Sequence, residues 1–469
     1  MTIDSIIKEV TGKDLVNLNE LTDTWLQYYK GNVDKFHQFK EYNGSKNITR
    51  CRKTLNMPKK VCEDWANLLL NEKTDVVVGD EKQQEKLWEL LDNVRFWVKG
   101  NEGVEKTFAL GSGAFVESVD AEGNARLQFV NRTKIKPITI EQDKITECAF
   151  VNSNSNNTII QIHIKGYIQD NKLFLDSNGN YIITTLVYKK DTNDTDDDIG
   201  QLVSEETFDT GSSLAWFQIY KPNIANNIDL NSPMGISIYA NALDVLQGVD
   251  LAYDGFCEEM RLGRSRIFVN KKLIRRDETG ETLTFDNNES GFYYGGEDDN
   301  GNAKPFEFYS PTLRTESYFN GINNALNLLS SKVGFGENHY RFDKGGVTTA
   351  TQVISENSEM FRTLKKHEII LNEVIIDVCK ALMYIHNNFT GDAFKFDLNA
   401  NIEVKFDDSI IENKETMKMT DRQDVNMGVM SKVEYRMKWY NEDEATAKQK
   451  LAEIEEANKS QALNFFSEE

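Results

Sequence analysis

Four carboxylates are the strongest candidates for catalysis in this chain of 469 residues. They are Asp407, Asp408, Glu412 and Glu415. Grouped in one short stretch, such side chains could hold two divalent metal ions, as the carboxylates of a nuclease do. The stretch also follows a predicted strand and precedes a predicted helix, where acidic residues commonly cap the helix or interact with its dipole. We favour capping and predict no metal site; a metal-dependent DNA-processing enzyme is the alternative.

Other catalytic signatures are missing from the sequence. It has no Gly-x-x-x-x-Gly-Lys-Ser/Thr loop, and the turns at 111–113 and 334–336 lack the third glycine of a dinucleotide-binding turn. The five histidines are far apart, and none belongs to a His-Glu-x-x-His motif. We therefore predict that the chain is not an enzyme and binds no cofactor.

The loop 334–346 is the best candidate for contact with nucleic-acid phosphates. Gly336, Gly345 and Gly346 let its backbone bend. The side chains predicted to contact DNA are His339, Tyr340, Arg341 and Lys344. The alternative is a surface connection that carries two bases by chance.

A second group of bases lies in a β-rich stretch between two predicted helices. This basic cluster consists of Lys271, Lys272, Arg275 and Arg276. It could contact DNA or an acidic protein partner, but such runs are also common in solvated turns, and both interpretations stay open. In the amino-terminal region, a third group of bases is predicted to form a surface or subunit contact rather than a nucleic-acid site. These bases are Arg50, Arg52 and Lys53.

The acidic run 191–198 has some likeness to a calcium-binding loop, because aspartates alternate along it and Glu205 follows. Ile199 occupies the position where the sharp turn of such a loop needs glycine. We therefore predict a solvated hairpin tip and no ion site.

Overall charge limits what the chain can bind. It has 75 acidic and 54 basic side chains, a formal net charge of -21, whereas proteins that grip nucleic acid through phosphates are usually basic. Tight binding of DNA through the general field is not expected. The five scattered cysteines predict reduced thiols in a cytoplasmic protein, and no segment has the character of a signal peptide or a membrane span.

The first half of the chain is predicted to be helical and then β-rich. One helix opens at Met57-Pro58, since proline is tolerated in a first helical turn, and another runs from Gln83 to Val98. From about Phe108 to Tyr220, short alternating segments predict antiparallel strands. The clearest of these are 126–130, 159–166 and 181–188.

The second half alternates helices with β segments. A helix is predicted from Ser232 to Leu262, with Ser232 as its cap. Strands and turns cover 264–310, and a helix resumes from Thr312 to Val333. A very long helix, Thr348 to Phe389, contains no Gly or Pro and repeats apolar residues at helical spacing.

The carboxyl-terminal part is predicted as a strand-turn-strand over 394–406 followed by helices. Gly428 closes one helix, and capping pairs open the next two. These pairs are Ser431 with Glu434 and Asn441 with Glu444. The fold class predicted for the whole chain is α+β.

This order of elements, with several local motifs, resembles the portal proteins of tailed bacteriophages, especially those of siphophages that infect Gram-positive bacteria. The motifs are Met57–Trp65, Leu110–Ala114, Gly334–Gly346, Thr349–Asn357 and Met427–Tyr435. Each motif alone is modest, but their order over nearly the whole chain is specific.

The resemblance implies a set of portal subdomains. Residues 1–231 would form the wing, completed by the long helix and strands of 347–410. The remaining segments would be a stem helix at 232–262, the clip at 263–311, a second stem helix at 312–333, the tunnel loop at 334–346 and a helical crown at 411–469.

The resemblance also implies a function and a set of partners. Members of this family form a dodecameric ring at one capsid vertex, conduct double-stranded DNA during packaging and ejection, and dock terminase and then head-completion or adaptor proteins. Contacts with major capsid and scaffolding proteins, a place in the virion and assembly in the host cytoplasm are implied as well. A minor head protein without a channel is a further alternative.

The net charge is compatible with such a conduit. Duplex DNA carries one negative charge per ~1.7 Å of its axis, so a basic bore would hold it through many phosphates at once. An acidic wall repels DNA. We therefore expect a channel that lets DNA slide to be mostly anionic, with contact confined to a ring of loops.

Overall fold

The computed structural model divides the chain into two compact units. Unit 1 comprises Met1–Lys344 and Arg362–Phe406, and unit 2 comprises Gly345–Phe361 and Asp407–Glu469. Helices and sheets both contribute, which confirms the α+β class. The residues that the structure describes are 2–16, 21–42, 46–170, 172–190, 199–270, 292–295, 306–342, 350–406, 414–440 and 442–465.

Helices dominate the start of unit 1. They are α1 (Ile3–Thr11), α2 (Thr22–Tyr29), α3 (Met57–Leu69), α4 (Glu81–Asn93) and α5 (Phe96–Leu110), with the short strands β1 (Gln38–Tyr42), β2 (Asn47–Cys51) and β3 (Asp75–Val78) between them. The predicted helix at Met57 is confirmed, with Pro58 in its first turn.

The single helix predicted from Gln83 to Val98 is wrong. Arg95 has a left-handed backbone with φ 57° and separates α4 from α5. Helix α5 then continues to Leu110, into the region where strands were expected, because its own apolar face, including Val104 and Phe108, is fully buried.

The predicted antiparallel region is confirmed. Its strands are β4 (Gly113–Val119), β5 (Ala125–Asn131), β6 (Ile135–Glu141), β7 (Lys144–Ser153), β8 (Asn157–Gln169), β9 (Lys172–Leu175), β10 (Asn180–Lys190), β11 (Ile199–Asp209) and β12 (Phe217–Tyr220). One sheet has the order β11-β10-β8-β7-β6, with β9 on β8, and another has the order β12-β4-β5. Helix α1 packs Ile6 and Ile7 against the first sheet. The acidic run 191–198 lies outside the described residues, between the paired strands β10 and β11.

Two helices bracket a small sheet later in unit 1. They are α6 (Leu243–Leu262) and α7 (Thr315–Lys332), and the strands between them are β13 (Arg266–Asn270), β14 (Phe292–Gly295) and β15 (Phe306–Tyr309). Strand β13 pairs in parallel with β14 and antiparallel with β15. The helices contact each other near this sheet, where Arg314 binds both carboxylate oxygens of Glu259 at 3.1 and 2.7 Å.

The predicted start of α6 at Ser232 is wrong. After Ser232 the chain packs against the end of α5 instead of forming a helix. Gly235 N donates to Ser112 Oγ at 3.0 Å, and Ile238 N donates to Phe108 O at 2.9 Å. These bonds use backbone groups that a helix would need, so α6 begins only at Leu243.

The long helix is confirmed as α8 (Ala350–Phe389, 40 residues). Its apolar positions Leu371, Ile375, Val378 and Leu382 are fully buried. The strand-turn-strand predicted after it is half wrong, since only β16 (Ile402–Lys405) is a strand, paired with β3. The stretch before it bonds to the helix instead, because the Asn387 side chain satisfies both backbone groups of Phe396, at 2.7 and 2.9 Å.

Three helices end the chain in unit 2. They are α9 (Lys414–Met427), α10 (Lys432–Tyr440) and α11 (Glu444–Phe465). Gly428, with φ 74°, ends α9 as predicted, and the predicted capping pair at the start of α10 is confirmed by bonds of 2.8 and 3.1 Å between Ser431 and Glu434. The cap of α11 is Asp443, which accepts from Thr446 N at 2.7 Å; Asn441 lies outside the described residues. In the described part of the chain, no helix combines the length and apolarity needed to cross a membrane.

Candidate DNA-contacting loop and its anchor

The candidate loop begins with a sharp turn at the end of α7. Gly334 and Gly336 have positive φ angles of 87° and 79°, a backbone conformation that favours glycine. Space is also limited, because a Cβ at Gly334 would lie 2.7 Å from Cγ2 of Thr363 on α8. The turn therefore requires glycine for two independent reasons, and it directs the loop back along α7.

An aromatic stack fixes the first residues of the loop. The ring of Phe335 lies between Trp65, at a centroid distance of 4.4 Å, and His339, at 4.2 Å. The indole Nε1 of Trp65 donates to Val333 O at 3.1 Å. Trp65 and Phe335 are buried, so the helix α3 motif and the loop motif, far apart in sequence, form one cluster.

Polar side chains on α7 hold the loop backbone. Asn338 N donates to Asn327 Oδ1 at 2.6 Å, Tyr340 N to Ser330 Oγ at 3.1 Å, and Phe342 N to Asn323 Oδ1 at 3.1 Å. Asn323 and Ser330 are themselves buried. Since hydrogen bonds to buried partners are costly to break, the loop is tied to α7 as far as Phe342.

A further bond ties the loop to α3. The Tyr340 hydroxyl donates to Asp64 Oδ2 at 2.9 Å, and the other oxygen of Asp64 pairs with Lys60. Burial raises the pKa of Tyr340 well above its ordinary value, and the negative charge of Asp64 adds to the rise. Tyr340 therefore stays neutral at physiological pH and acts as a hydrogen-bond donor.

The four loop residues predicted to contact DNA differ in their surroundings. His339 stacks on Phe335 and Tyr340 bonds to Asp64, so both also serve as anchors within the chain. Arg341 is exposed, and Phe342 beside it is 64% exposed. Lys344 lies outside the described residues. DNA contact by these four side chains stays a prediction, and Arg341 is the described one best placed to reach a ligand.

The other predicted charged sites are not described by the structure. All four residues of the basic cluster, Lys271, Lys272, Arg275 and Arg276, lie outside the described residues, as do Asp407, Asp408, Glu412 and the side chain of Glu415. Among the residues that are described, no group of three or more His, Cys, Asp or Glu side chains could hold a metal ion.

One set of residues escaped the sequence analysis: an acidic stripe on α6 that binds the segment around β1 and β2. Asp250 accepts from Leu55 N at 3.0 Å and lies 3.1 Å from His37 Nε2. One turn further on, Asp254 accepts from Lys53 N at 3.0 Å. The stripe continues to Glu258, which pairs with Arg50 at 2.7 Å. The spacing of four residues puts the three acids on one helical face, a signal that the sequence does carry.

The geometry at His37 also assigns its tautomer. The Nδ1 atom accepts from Val33 N at 2.7 Å, so the proton of the neutral ring is on Nε2 and points to Asp250. The guanidinium group of Arg52 lies over the rings of Phe36 and Phe39. Of the bases predicted as a surface or subunit contact, the side chains of Arg50 and Arg52 thus have partners inside the chain.

Some solved structures are similar to this chain at low sequence identity. Two similar solved structures are a chain of the neck of native GTA particle computed with C12 symmetry, with TM-score 0.42, 10% identity and coverage of 92% of this chain and 97% of that chain, and a chain of the virion of native gene transfer agent (GTA) particle, with TM-score 0.40, 10% identity and coverage of 93% and 98%. Likeness at this level supports no functional argument. Comparison with curated proteins finds no match.

The family model described as phage portal protein, SPP1 Gp6-like, matches residues 18–461. This match covers nearly the whole chain, including α3, the loop after α7, the long helix α8 and the helices of unit 2. The chain therefore belongs to the SPP1 Gp6-like family of phage portal proteins.

Proposed function

We propose that copies of this chain form a ring around a channel at one capsid vertex, through which double-stranded DNA is packaged and ejected. The observation that carries the proposal is membership of the portal family over residues 18–461. Twelve copies per ring is the number expected from the family resemblance. The chain acts as a structural conduit and not as an enzyme.

The subdomains follow the portal arrangement. Residues 1–231 with 347–410 form the wing, 263–311 the clip, and 411–469 the crown. The stem comprises the segments 232–262 and 312–333, of which α6 and α7 are the helical parts. Two paired helices that bracket a three-stranded sheet support this assignment of stem and clip.

DNA contact is confined to loops within an otherwise anionic ring. A net charge of -21 per copy disfavours tight binding of the DNA polyanion. Within the tunnel loop, 334–346, the side chains of His339, Tyr340, Arg341 and Lys344 contact DNA, and His339 and Tyr340 also anchor the loop at its base. The anchoring of the loop to α7 and α3 supports this arrangement, because a fixed base positions the residues that follow it.

The ring works with several protein partners. Terminase docks during packaging, and head-completion or adaptor proteins bind afterwards. Major capsid and scaffolding proteins surround the ring in the virion, and assembly takes place in the host cytoplasm. The basic cluster of the clip contacts either DNA or an acidic partner.

Electron microscopy of the purified chain, combined with a DNA cleavage assay in magnesium, tests the proposal. Rings with a central hole and no cleavage are the expected result. Monomers that cleave DNA would support the metal-dependent enzyme, and monomers that do not cleave would support a minor head protein without a channel. Either monomeric outcome at high protein concentration rejects the conduit.

A further inference from the structure

The helices of unit 2 bury very little of their surface. Across residues 418–440 and 442–454, the part whose side chains are described, only Asp421 and Ala447 are buried. Not one residue of α10, which is described in full, is buried. Small units depend on an apolar core for stability, because a short chain buries a smaller fraction of its surface than a long one. The described part of these helices therefore lacks an apolar core that would make it stable in a single copy.

Polar contacts hold the described helices together instead. Asp421 on α9 accepts from Trp439 Nε1 at 2.7 Å and pairs with Lys438 at 2.8 Å. Arg436 forms a two-point contact with Glu442 at 2.8 and 2.9 Å. Lys438, which pairs with Asp421, is exposed, and an ion pair at an exposed position stabilises a fold by only about 0–1 kcal/mol. The contact between Arg436 and Glu442 is largely shielded from solvent, and it must first offset the cost of removing both charges from water. These contacts can set the geometry of the helices, but they do not replace a core.

Apolar side chains stand exposed on α9 and in the turn that follows it. Met419 is 62% exposed, Met427 69% and Val429 77%. Five of the eleven methionines of the chain fall between positions 417 and 437. Methionine adapts its shape to irregular surfaces and is common where proteins bind each other. Exposed apolar groups within one short stretch of the chain favour a surface that another molecule covers.

The net charge of these helices indicates which molecule covers the exposed apolar surface. Residues 414–465 contain nine Lys or Arg and ten Asp or Glu, a net charge of -1, although the whole chain carries -21. Identical acidic surfaces would repel each other when several copies meet, whereas a surface of balanced charge can approach its own copies closely. Near-neutrality in an acidic chain therefore favours a second copy of the same chain as the partner.

We propose that α9, α10 and α11 complete their apolar core against the same helices of neighbouring copies and become stably folded only when copies assemble. The inference rests on the proposed ring, and it adds that unit 2 folds together with assembly while unit 1 folds alone. Met419, Met427 and Val429 are the described side chains that a neighbour covers.

Hydrogen exchange of the full chain, separated by size into monomer and ring fractions, tests the proposal. In the ring, backbone amides of α9–α11 should exchange at least tenfold more slowly than in the monomer, and amides of β8 and β10 should be protected in both. Equal protection of α9–α11 in the two fractions would show that unit 2 folds alone. Rapid exchange of these helices in the ring would show that neighbouring copies do not cover them. Both results overturn the inference but leave the ring intact, whereas the absence of rings rejects the proposed function as well.

A matched pair of variants makes the test specific. Met427→Lys adds a positive charge at an exposed apolar position of α9, and Gln423→Lys adds the same charge at an exposed polar position of the same helix. Met427→Lys should lower the fraction of rings at least fivefold and leave exchange within β8 and β10 unchanged. Gln423→Lys should assemble like the unchanged chain. Equal behaviour of the two variants would contradict the proposed contact.

Discussion

The hydroxyl of Tyr340 lies 2.9 Å from Oδ2 of Asp64, a residue 276 positions earlier in the chain. The bond joins the loop after α7 to the helix α3. It is a second contact between them, beside the stack of Phe335 on Trp65. Asp64 remains paired with Lys60 on its own helix. The relationship makes α3 the support on which the loop after α7 rests, and it gives the Met57–Trp65 motif a physical role.

The first prediction concerns this bond. Tyr340→Phe removes one hydrogen bond to a charged partner and should lower the free energy of unfolding by about 1–3 kcal/mol. Chemical denaturation of the full chain measures it. Tyr309→Phe, at a half-exposed tyrosine on β15, is the control and should be neutral. Equal stability of the two variants would mean that the Asp64–Tyr340 bond does not stabilise the fold.

The second prediction concerns DNA. Replacing Arg341 and Lys344 by Ala should leave ring assembly intact and weaken the salt dependence of DNA retention, because each lost phosphate contact removes about 0.9 from the slope of log K against log salt. Retention of DNA in filled heads at increasing salt measures this effect. The control is Lys82→Ala with Lys172→Ala, two exposed lysines outside the loop. Loss of rings in the first variant would show that the loop bases are structural.

Sequence alone predicts the elements that depend on local pattern. The long helix, the antiparallel strands and the Ser431–Glu434 cap follow from spacing within a few residues, and all three are confirmed. The start of α6 was mispredicted for the opposite reason. Ser232 and Pro233 carry a genuine local signal for a helix start, but bonds to Ser112 and Phe108, more than 100 residues away, override it.

The candidate site was predictable only in part for the same reason. Glycines and bases mark the loop 334–346 in the sequence, but nothing local reveals that His339 stacks on Phe335 or that Tyr340 binds Asp64. Tyr340 bonds to Asp64 and Trp65 bonds to Val333. In each pair the two residues are more than 260 positions apart in the sequence. Side chains that sequence presents as free for a ligand can therefore be committed to the fold.

The third prediction tests the core of α8. Leu371 is fully buried within its own chain, and Ile369 on the same helix is 59% exposed. Leu371→Asp places an unpaired charge in the core and should destabilise unit 1 by roughly 4 kcal/mol or more, which thermal unfolding would reveal as loss of the folded monomer. Ile369→Asp makes the same change on the surface and should cost less than about 1 kcal/mol. Similar losses in both would contradict the burial of Leu371.

The fourth prediction compares Gly334, in the turn after α7, with Gly321 inside α7. Gly334→Ala forces a side chain into a left-handed backbone and against Thr363, so it should destabilise unit 1 by about 1–2 kcal/mol or more. Gly321→Ala lies in α7 with open space around the added Cβ, and it should stabilise by about 0.5–1 kcal/mol. Chemical denaturation of the monomer gives both values. A Gly334→Ala variant as stable as the unchanged chain would show that the turn at Gly334 does not require glycine.

The last prediction concerns pH and the buried Glu117 on β4. Burial raises the pKa of this carboxyl to about 8 from an ordinary value of 4.5, and nearby polar groups such as Gln218 offset only part of the rise. Between these two values the folded chain holds a proton that the unfolded chain releases. The free energy of unfolding should therefore fall as pH rises from about 4.5 to about 8, by up to ~1.4 kcal/mol per pH unit, and level off above that range.

Glu117→Gln isolates this contribution, because the amide stays neutral at every pH. Its stability should be close to that of the unchanged chain near pH 5 and higher by a few kcal/mol at pH 9. Glu122→Gln, at an exposed turn between β4 and β5, serves as the control and should keep the original pH dependence. Chemical denaturation from pH 5 to pH 9 compares the three proteins. If the Glu117→Gln curve runs parallel to the other two, Glu117 is ionised in the folded chain, and β4 must then hold a buried carboxylate whose charge the surrounding groups stabilise.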